Sequence, residues 1–167
     1  MTPMLTKVIT KLPIRPAAAE DAVLIQLMTQ AAYAEYAGTD APSSVTEERA
    51  EDLQAVLASG ETSALIVEGG GLPLGSVRYQ VKDGVLYFFR LGVLTEARGR
   101  GAARAMVVEL EAIARRLGCQ ILRCRVRMNV ARNVSLYESA GFVVTNVETV
   151  RRGVVDVPTG TMEKVLL

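Results

Sequence analysis

The sequence predicts an α/β chain of the α+β kind, with a mixed, mostly antiparallel sheet flanked by helices. Three observations carry this. Residues 91–117 run from the end of an apolar strand, through a turn holding Arg98, Gly99, Arg100, Gly101 and Arg104, straight into a long amphipathic helix. Asp83-Gly84 stands between two β-type runs, the strongest short-range hairpin signal. The elements then follow in the order β-α-α-β-β-β-α-β-α-β-β, which suits one sheet with helices on its faces.

In chain order, residues 1–6 read as a loose end. Val8–Arg15 is predicted as a first strand, interrupted by Pro13 and closed by Pro16, and its prolines suit an edge position. Glu20–Ala37 is predicted as a helix with Ala22, Ile25, Leu27, Met28, Ala32 and Tyr36 in its apolar stripe, ended by Gly38. Thr46 opens a second helix that runs to Ser59-Gly60, with Glu47 and Glu48 in its first turn, the sign the helix dipole favours. Ser63–Glu68 is a short apolar strand, and Gly69-Gly70-Gly71 is a turn.

Leu74–Lys82 and Val85–Leu94 are the hairpin strands. In the first, Val77, Tyr79 and Val81 alternate with Ser76, Arg78 and Gln80. The second is apolar on both faces apart from Arg90, as a central strand would be. In the long helix, Ala103, Met106, Val107, Leu110, Ile113, Ala114 and Leu117 form one face, with Glu111 and Arg115 paired on the other side and Gly118 as the cap. Gln120–Met128 is a strand with Leu122, Cys124, Val126 and Met128 on one face. Ile121, Arg123, Arg125 and Arg127 lie on the other, where a salt-bridged surface row is the plainer reading and ligand contact the alternative. Asn129–Ala140 is a short helix ended by Gly141. Phe142–Arg151, a turn near Gly153 and a last strand to Leu166 complete the chain.

The length of 167 residues suits one domain spanning 1–167, and half the residues are hydrophobic, which excludes a disordered class. A net charge of +1 offers no global basic field, so neither nucleic acid nor an anionic membrane is expected as a partner. With no histidine and two cysteines, the usual zinc chemistry and every histidine-dependent triad drop out, and no metal is expected. Cys119 and Cys124, five apart, are expected on opposite faces of one strand and unable to bridge. A reducing, cytoplasmic setting fits, and no signal-peptide core or membrane-length apolar run is present.

The chemistry concentrates at residues 98–104. A helix N-terminus after a glycine turn presents unpaired N–H groups and the positive end of a dipole, and the glycines allow close approach of a ligand. Such a turn suits a phosphate-bearing ligand. It is neither a dinucleotide fingerprint, because Arg104 stands where the third glycine would, nor a Walker A loop, because the Gly-Lys-Ser/Thr ending is missing.

Arg98-x-x-Gly101-x-Ala103, after a strand ending Leu91-Gly92-Val93, resembles the acetyl-CoA signature of the GCN5-related N-acetyltransferase (GNAT) family. Asn133-Val134-Ser135-Leu136-Tyr137-Glu138-Ser139-Ala140-Gly141-Phe142 is similar to that family's second motif, and Met162–Leu166 to its closing strand. The resemblance covers nearly the whole chain.

It implies a GNAT-like sheet whose two central strands splay at the acyl-CoA site, with acetyl-CoA as cosubstrate and an amine as acceptor. Leu91, Gly92 and Val93 would then meet pantetheine, with Gly92 at a bulge or close approach. Arg98, Gly99, Arg100, Gly101, Ala102, Ala103 and Arg104 would hold the pyrophosphate. Asn133, with Asn129 as a second choice, would fix the cofactor arm, and Tyr137 would protonate the departing thiolate rather than serve only as a core tyrosine beside Phe142. The glutamate that many family members carry on the strand before the turn is replaced here by Tyr87. The base is therefore open among Tyr87, Glu35, Tyr36 and a water chain. The expected activity is N-acetyl transfer to a primary amine, small or peptide-borne, with a non-catalytic acyl-CoA-binding module as the alternative and a homodimer as a possible assembly.

Overall fold

The structure, a computed structural model, describes residues 12–36 and 48–166. Its strands are β1 (Ile14–Pro16), β2 (Ser63–Gly69), β3 (Leu72–Lys82), β4 (Val85–Val93), β5 (Ile121–Arg127), β6 (Val143–Arg152) and β7 (Val155–Val165). Its helices are α1 (Ala22–Ala32), α2 (Ala50–Ser59), α3 (Ala102–Arg116) and α4 (Ala131–Ser139). Among the described residues these strands form one seven-stranded sheet in the order β1-β2-β3-β4-β5-β7-β6. Every neighbouring pair is antiparallel except β4–β5, which α3 joins as a crossover.

Both faces of the sheet are covered, and β2 shows how. Ala64 and Ile66 point into a cluster with Ala22, Ile25, Met28 and Leu53 of α1 and α2. Leu65 and Val67, one residue out of phase, join the larger cluster on α3. In α3 the face is Ala102, Met106, Val107, Leu110, Ile113 and Ala114. Met106, Leu110 and Ala114 have no exposed surface, and burying a leucine to this degree stabilises by about 1.5–3 kcal/mol.

The central splay is present. β4 and β5 pair only at Val85–Ile121, Leu86–Leu122 and Tyr87–Arg123, and beyond these each strand continues without the other. A bulge falls in β4 between its pairings with Ser76 and Arg78. It sits at Arg90, whose φ of 54° is left-handed, so of the two alternatives expected for Gly92 the bulge falls away. Gly92 is instead a close approach: a Cβ there would lie 2.9 Å from the Ala32 Cβ and 3.3 Å from Cε2 of Tyr33.

Several other expectations are corrected. The predicted 20–37 helix is shorter, because Ala19–Asp21 forms a tight turn with the Asp21 carboxylate accepting from the Ala18 N–H at 2.8 Å. It ends at Ala32, since Tyr33 leaves helical geometry and Ala34–Tyr36 is a separate turn. Gly38, the expected stop, lies outside the described residues. Leu27 is exposed, and Thr29 takes its place in the stripe by donating its hydroxyl to the Ile25 carbonyl at 2.7 Å. The side chain of Tyr36, placed in the same stripe and among the base candidates, lies outside the described part.

The second helix starts at Ala50, with Glu51 and Asp52 in its first turn, because Arg49 is extended and Glu48 turns away to Arg78. Thr46 and Glu47 lie outside the described residues, as does the start of the predicted first strand. β1 ends at Pro16 and lies at the sheet edge, as expected. In β3, Ser76 and Arg78 are buried because α1 covers that face too. Leu117 lies past the last turn of α3 and is exposed. Cys119 precedes β5, with its N–H donating to the Ala114 carbonyl, so strand alternation does not separate it from Cys124. Both are buried free thiols in one cluster.

Candidate functional site

The splay opens a cavity of about 360 Å³ between β4, the glycine turn, α3 and α4. The sequence builds its floor simply. Gly99 and Gly101 take φ of 82° and 81°, and nothing lies within 4 Å of where either Cβ would be, so the backbone there is bare. Gly101 is the N-cap of α3, no side chain caps the helix, and the first helical bond runs from the Ala105 N–H to the Gly101 carbonyl. The amides of Ala102, Ala103 and Arg104 therefore have no intrahelical acceptor, the arrangement that favours an anion.

Of the expected cofactor residues, Leu91, Gly92 and Val93 form the strand wall. Arg98, Gly99, Gly101, Ala102, Ala103 and Arg104 form the turn and helix start, and Asn133 projects from α4. Two are not brought here. Arg100 swings to Gly69, whose Cβ would lie 3.0 Å from its Nη2. Asn129 borders a separate shallow depression beside Glu35 and Arg132. The arginines are also less free than the sequence suggested. Arg98 donates to the Ala32 carbonyl at 3.3 Å, and Arg104 donates to the Ser139 hydroxyl at 2.6 Å.

Glu35, a candidate proton relay, stands at this cavity's mouth as a clip. It accepts from Arg98 at 3.4 Å and pairs with Arg132 of α4, and so is not grouped with Tyr87.

A second cavity, of about 510 Å³, lies on the other side of the splay. It shares three wall residues with the first, Tyr33, Leu91 and Asn133. Tyr33 is the hinge between them, its hydroxyl donating to the Leu91 carbonyl at 2.9 Å. Tyr87 and Tyr137 both border the second cavity. Tyr87 stacks on Phe89 with centroids 5.6 Å apart, and burial raises its phenol above the ordinary value against the opposing pull of Arg125. A phenol so raised is a poor base near neutrality.

Tyr137 packs edge-on against Phe88 at 5.7 Å and beside Phe142 at 5.7 Å, so it is a core residue as well as a wall residue. Burial pushes its phenol well above the ordinary value, with Cys124 and Tyr33 adding to the shift. It therefore holds its proton at any physiological pH.

Sequence reasoning missed Tyr33 and Arg132. Arg132 stands next to Asn133 and carried a signal by adjacency. Tyr33 carried none, because its role depends on where α1 stops. Within β5, Arg123 pairs with Glu163 at 2.9 Å and Arg125 with Glu148, the surface row that was the plainer expectation, yet Arg125 and Arg127 also line the second cavity. Among the described residues no cluster of His, Cys, Asp or Glu could hold a metal ion, and no helix is long and apolar enough to cross a membrane.

Comparison with known proteins gives a consistent picture. The family model for the acetyltransferase (GNAT) family matches residues 26–142. No curated protein sequence matches the chain. Among solved structures, a putative acetyltransferase from Salmonella typhimurium, solved with its cofactor acetyl-CoA, aligns over 93% of this chain and 94% of its own at 21% identity and a TM-score of 0.76. A ribosomal-protein-alanine N-acetyltransferase from Brucella melitensis aligns over 93% and 100% at 20% identity and a TM-score of 0.74. A spermidine N-acetyltransferase chimera aligns over 93% and 96% at 17% identity and a TM-score of 0.75. At these identities the likeness is one of fold.

Proposed function

The chain belongs to the GNAT acetyltransferase family, and from that membership we propose that it moves an acetyl group from acetyl-CoA to a primary amine by direct attack in a ternary complex, with residues 1–167 acting as one domain. The observation that carries this is the pair of cavities sharing the wall of Tyr33, Leu91 and Asn133. Direct transfer needs two substrates held on either side of one reacting carbon, and a shared wall is the minimal geometry for it.

Acetyl-CoA, when bound, supplies a thioester with a thiol leaving group. Its diphosphate suits the bare turn at Gly99 and Gly101 and the open amides of Ala102–Arg104, with the Leu91–Val93 stretch, paired to β3 but not to β5, available to the pantetheine amides. Arg98 and Arg132, tied to Glu35, would close the mouth over it. In the transfer a C–N bond forms and a C–S bond breaks. The nitrogen sheds one proton and the sulfur takes one. Tyr137, held protonated by burial, is the donor to sulfur.

Among the described residues none is poised to take the nitrogen's proton. Tyr87 is raised, and both terminal nitrogens of Arg78 engage Glu48, the one carboxylate among the described residues that line the second cavity. The amine therefore enters through its neutral fraction, which for an alkylamine at pH 7 is below about one part in a thousand and amounts to roughly 4–5 kcal/mol. Solvent carries the proton away. The two buried thiols suit a reducing compartment such as the cytoplasm.

Incubation with acetyl-CoA and a panel of primary amines, with free thiol followed over time, tests this reading. Amine-dependent thiol release is expected. Calorimetric binding of acetyl-CoA with no release for any amine would instead leave a non-catalytic acyl-CoA-binding module.

A further inference from the structure

Among the described residues β6 is the last strand of the sheet, bonded to β7 on one side. It is ten residues long and exposed along most of its length, with Val143 62% and Val147 54% exposed. The opposite edge, β1, is three residues long and ends in a proline, a form that discourages pairing with another chain. β6 has neither device. It holds no proline and no lysine, and most of it is valine and threonine, the residues a ladder favours.

The hairpin fixes which backbone groups face outward. Gly153, with φ of 60°, and Val154 form a two-residue turn, so the flanking pair Arg152–Val155 is of the hydrogen-bonded kind. Alternation from there makes Val150–Val157 and Glu148–Thr159 hydrogen-bonded pairs too. Val147, Thr149 and Arg151 therefore turn their N–H and C=O groups away from β7. The proline agrees with this: Pro158, which has no N–H, stands opposite Thr149, where the ladder asks for none.

Along this edge the sequence is self-complementary. Two copies running antiparallel about Val147 set Asn146 opposite Glu148. The bulge then leaves Thr145 as an extra residue between Val144 and Asn146. Val144 comes level with Thr149, and Val143 with Val150. The faces match as well. Val143, Asn146, Glu148 and Val150 lie opposite Glu163, Thr161, Thr159 and Val157, alternate residues of β7, and so share one face. Val144, Val147 and Thr149 share the other. Moving the centre to Glu148 would set that carboxylate against its own copy, whereas about Val147 it meets an amide and keeps its own Arg125.

We infer that β6 is the two-fold interface of a homodimer, in which a second copy of this chain adds its own β6 antiparallel about Val147 and the two sheets become one. The inference stands independently of the transferase reading.

Sedimentation equilibrium of the full chain across a range of concentrations is expected to show monomer and dimer in exchange. Val147→Cys tests the register. At the two-fold its Cα atoms would be about 5.5 Å apart, within disulfide reach. Cys119 and Cys124 are buried, so oxidation with copper phenanthroline should cross-link Val147→Cys into a dimer on a non-reducing gel. Arg151→Cys, whose two copies would stand at opposite ends of the edge, should stay monomeric.

Val147→Lys places like charges together at the axis and should weaken the dimer by roughly tenfold or more, with the circular dichroism spectrum unchanged. The outward amides of Val147 and Thr149 should exchange slowly with deuterium in the native dimer, and the Thr149 amide quickly in Val147→Lys. A monomer at every concentration, equal cross-linking of Val147→Cys and Arg151→Cys, or a dimer untouched by Val147→Lys would overturn the inference. Slow exchange of these amides in a monomer would mean that another part of the same chain covers the edge, and would overturn it too. If Val147→Lys does not fold, the pair of cysteine variants decides.

Discussion

Gly92 offers the sharpest perturbation, because its constraint is purely steric. Its backbone is not in the left-handed region, so Gly92→Ala carries no conformational penalty of its own. The new methyl would lie 2.9 Å from the Ala32 Cβ and 3.3 Å from Cε2 of Tyr33, where carbon atoms prefer about 3.5–4.0 Å. The end of α1 must retreat by roughly 0.6–1 Å, judged from that preferred separation. Overpacking of this kind costs about 1–3 kcal/mol. At about 2–4 °C per kcal/mol for a chain of this size, Tm should fall by roughly 4–8 °C for a mid-range cost.

The retreat also touches the reaction. It stretches the 2.9 Å bond from Tyr33 to the Leu91 carbonyl and the 3.3 Å bond from Arg98 to the Ala32 carbonyl, which together hold the wall between the cavities. A displacement near 1 Å is worth up to about 100-fold, so kcat/KM should drop by about 10–100-fold. Thermal melting and steady-state thiol release read the two effects. Ala32→Gly removes the atom the new methyl meets, so Gly92→Ala on that background should lose less of both than on the native one. A Tm within 1 °C of the parent and an unchanged kcat/KM, or no rescue in the double variant, would refute the claim that α1 presses on this strand.

Tyr137→Phe keeps the ring against Phe88 and Phe142 but removes the proton donor, so kcat should fall about 100-fold with acetyl-CoA affinity and Tm little changed. An unchanged kcat would leave Tyr137 as packing alone. Glu48→Gln strands the buried guanidinium of Arg78 and should cost about 3–5 kcal/mol, visible in urea unfolding, whereas a shift below about 1 kcal/mol would mean Arg78 finds other compensation. Burial pushes the Cys124 thiol up to about 12, so at pH 8 its thiolate fraction is roughly one in ten thousand against about a quarter for a free thiol. Native protein should resist thiol-specific labelling until pH approaches that value, and unfolded protein should react at both cysteines; rapid native labelling at pH 8 would contradict the burial of Cys124.

What was legible in the sequence was local. The Asp83-Gly84 hairpin, the α3 stripe from Met106 to Ala114 and the bare glycine turn each depend on residues within a few positions of one another, and each stands where the pattern put it. Two of the misreadings come from contact with residues far along the chain. Helix α1 stops at Ala32 where Tyr33 reaches the Leu91 carbonyl, 58 positions away. Arg78 is buried only because Glu48, 30 positions earlier, meets it, which drew Glu48 out of the helix its sequence favoured.

The second cavity is the extreme case. Its arginines come one or two at a time from β3, β4, β5 and β6, and on each strand alone they read as an ordinary polar position. The order β3-β4-β5-β7-β6 and the parting of β4 from β5 turn those positions towards one space. Topology gathers them where no local pattern does, and a net charge of +1 carries no sign of it.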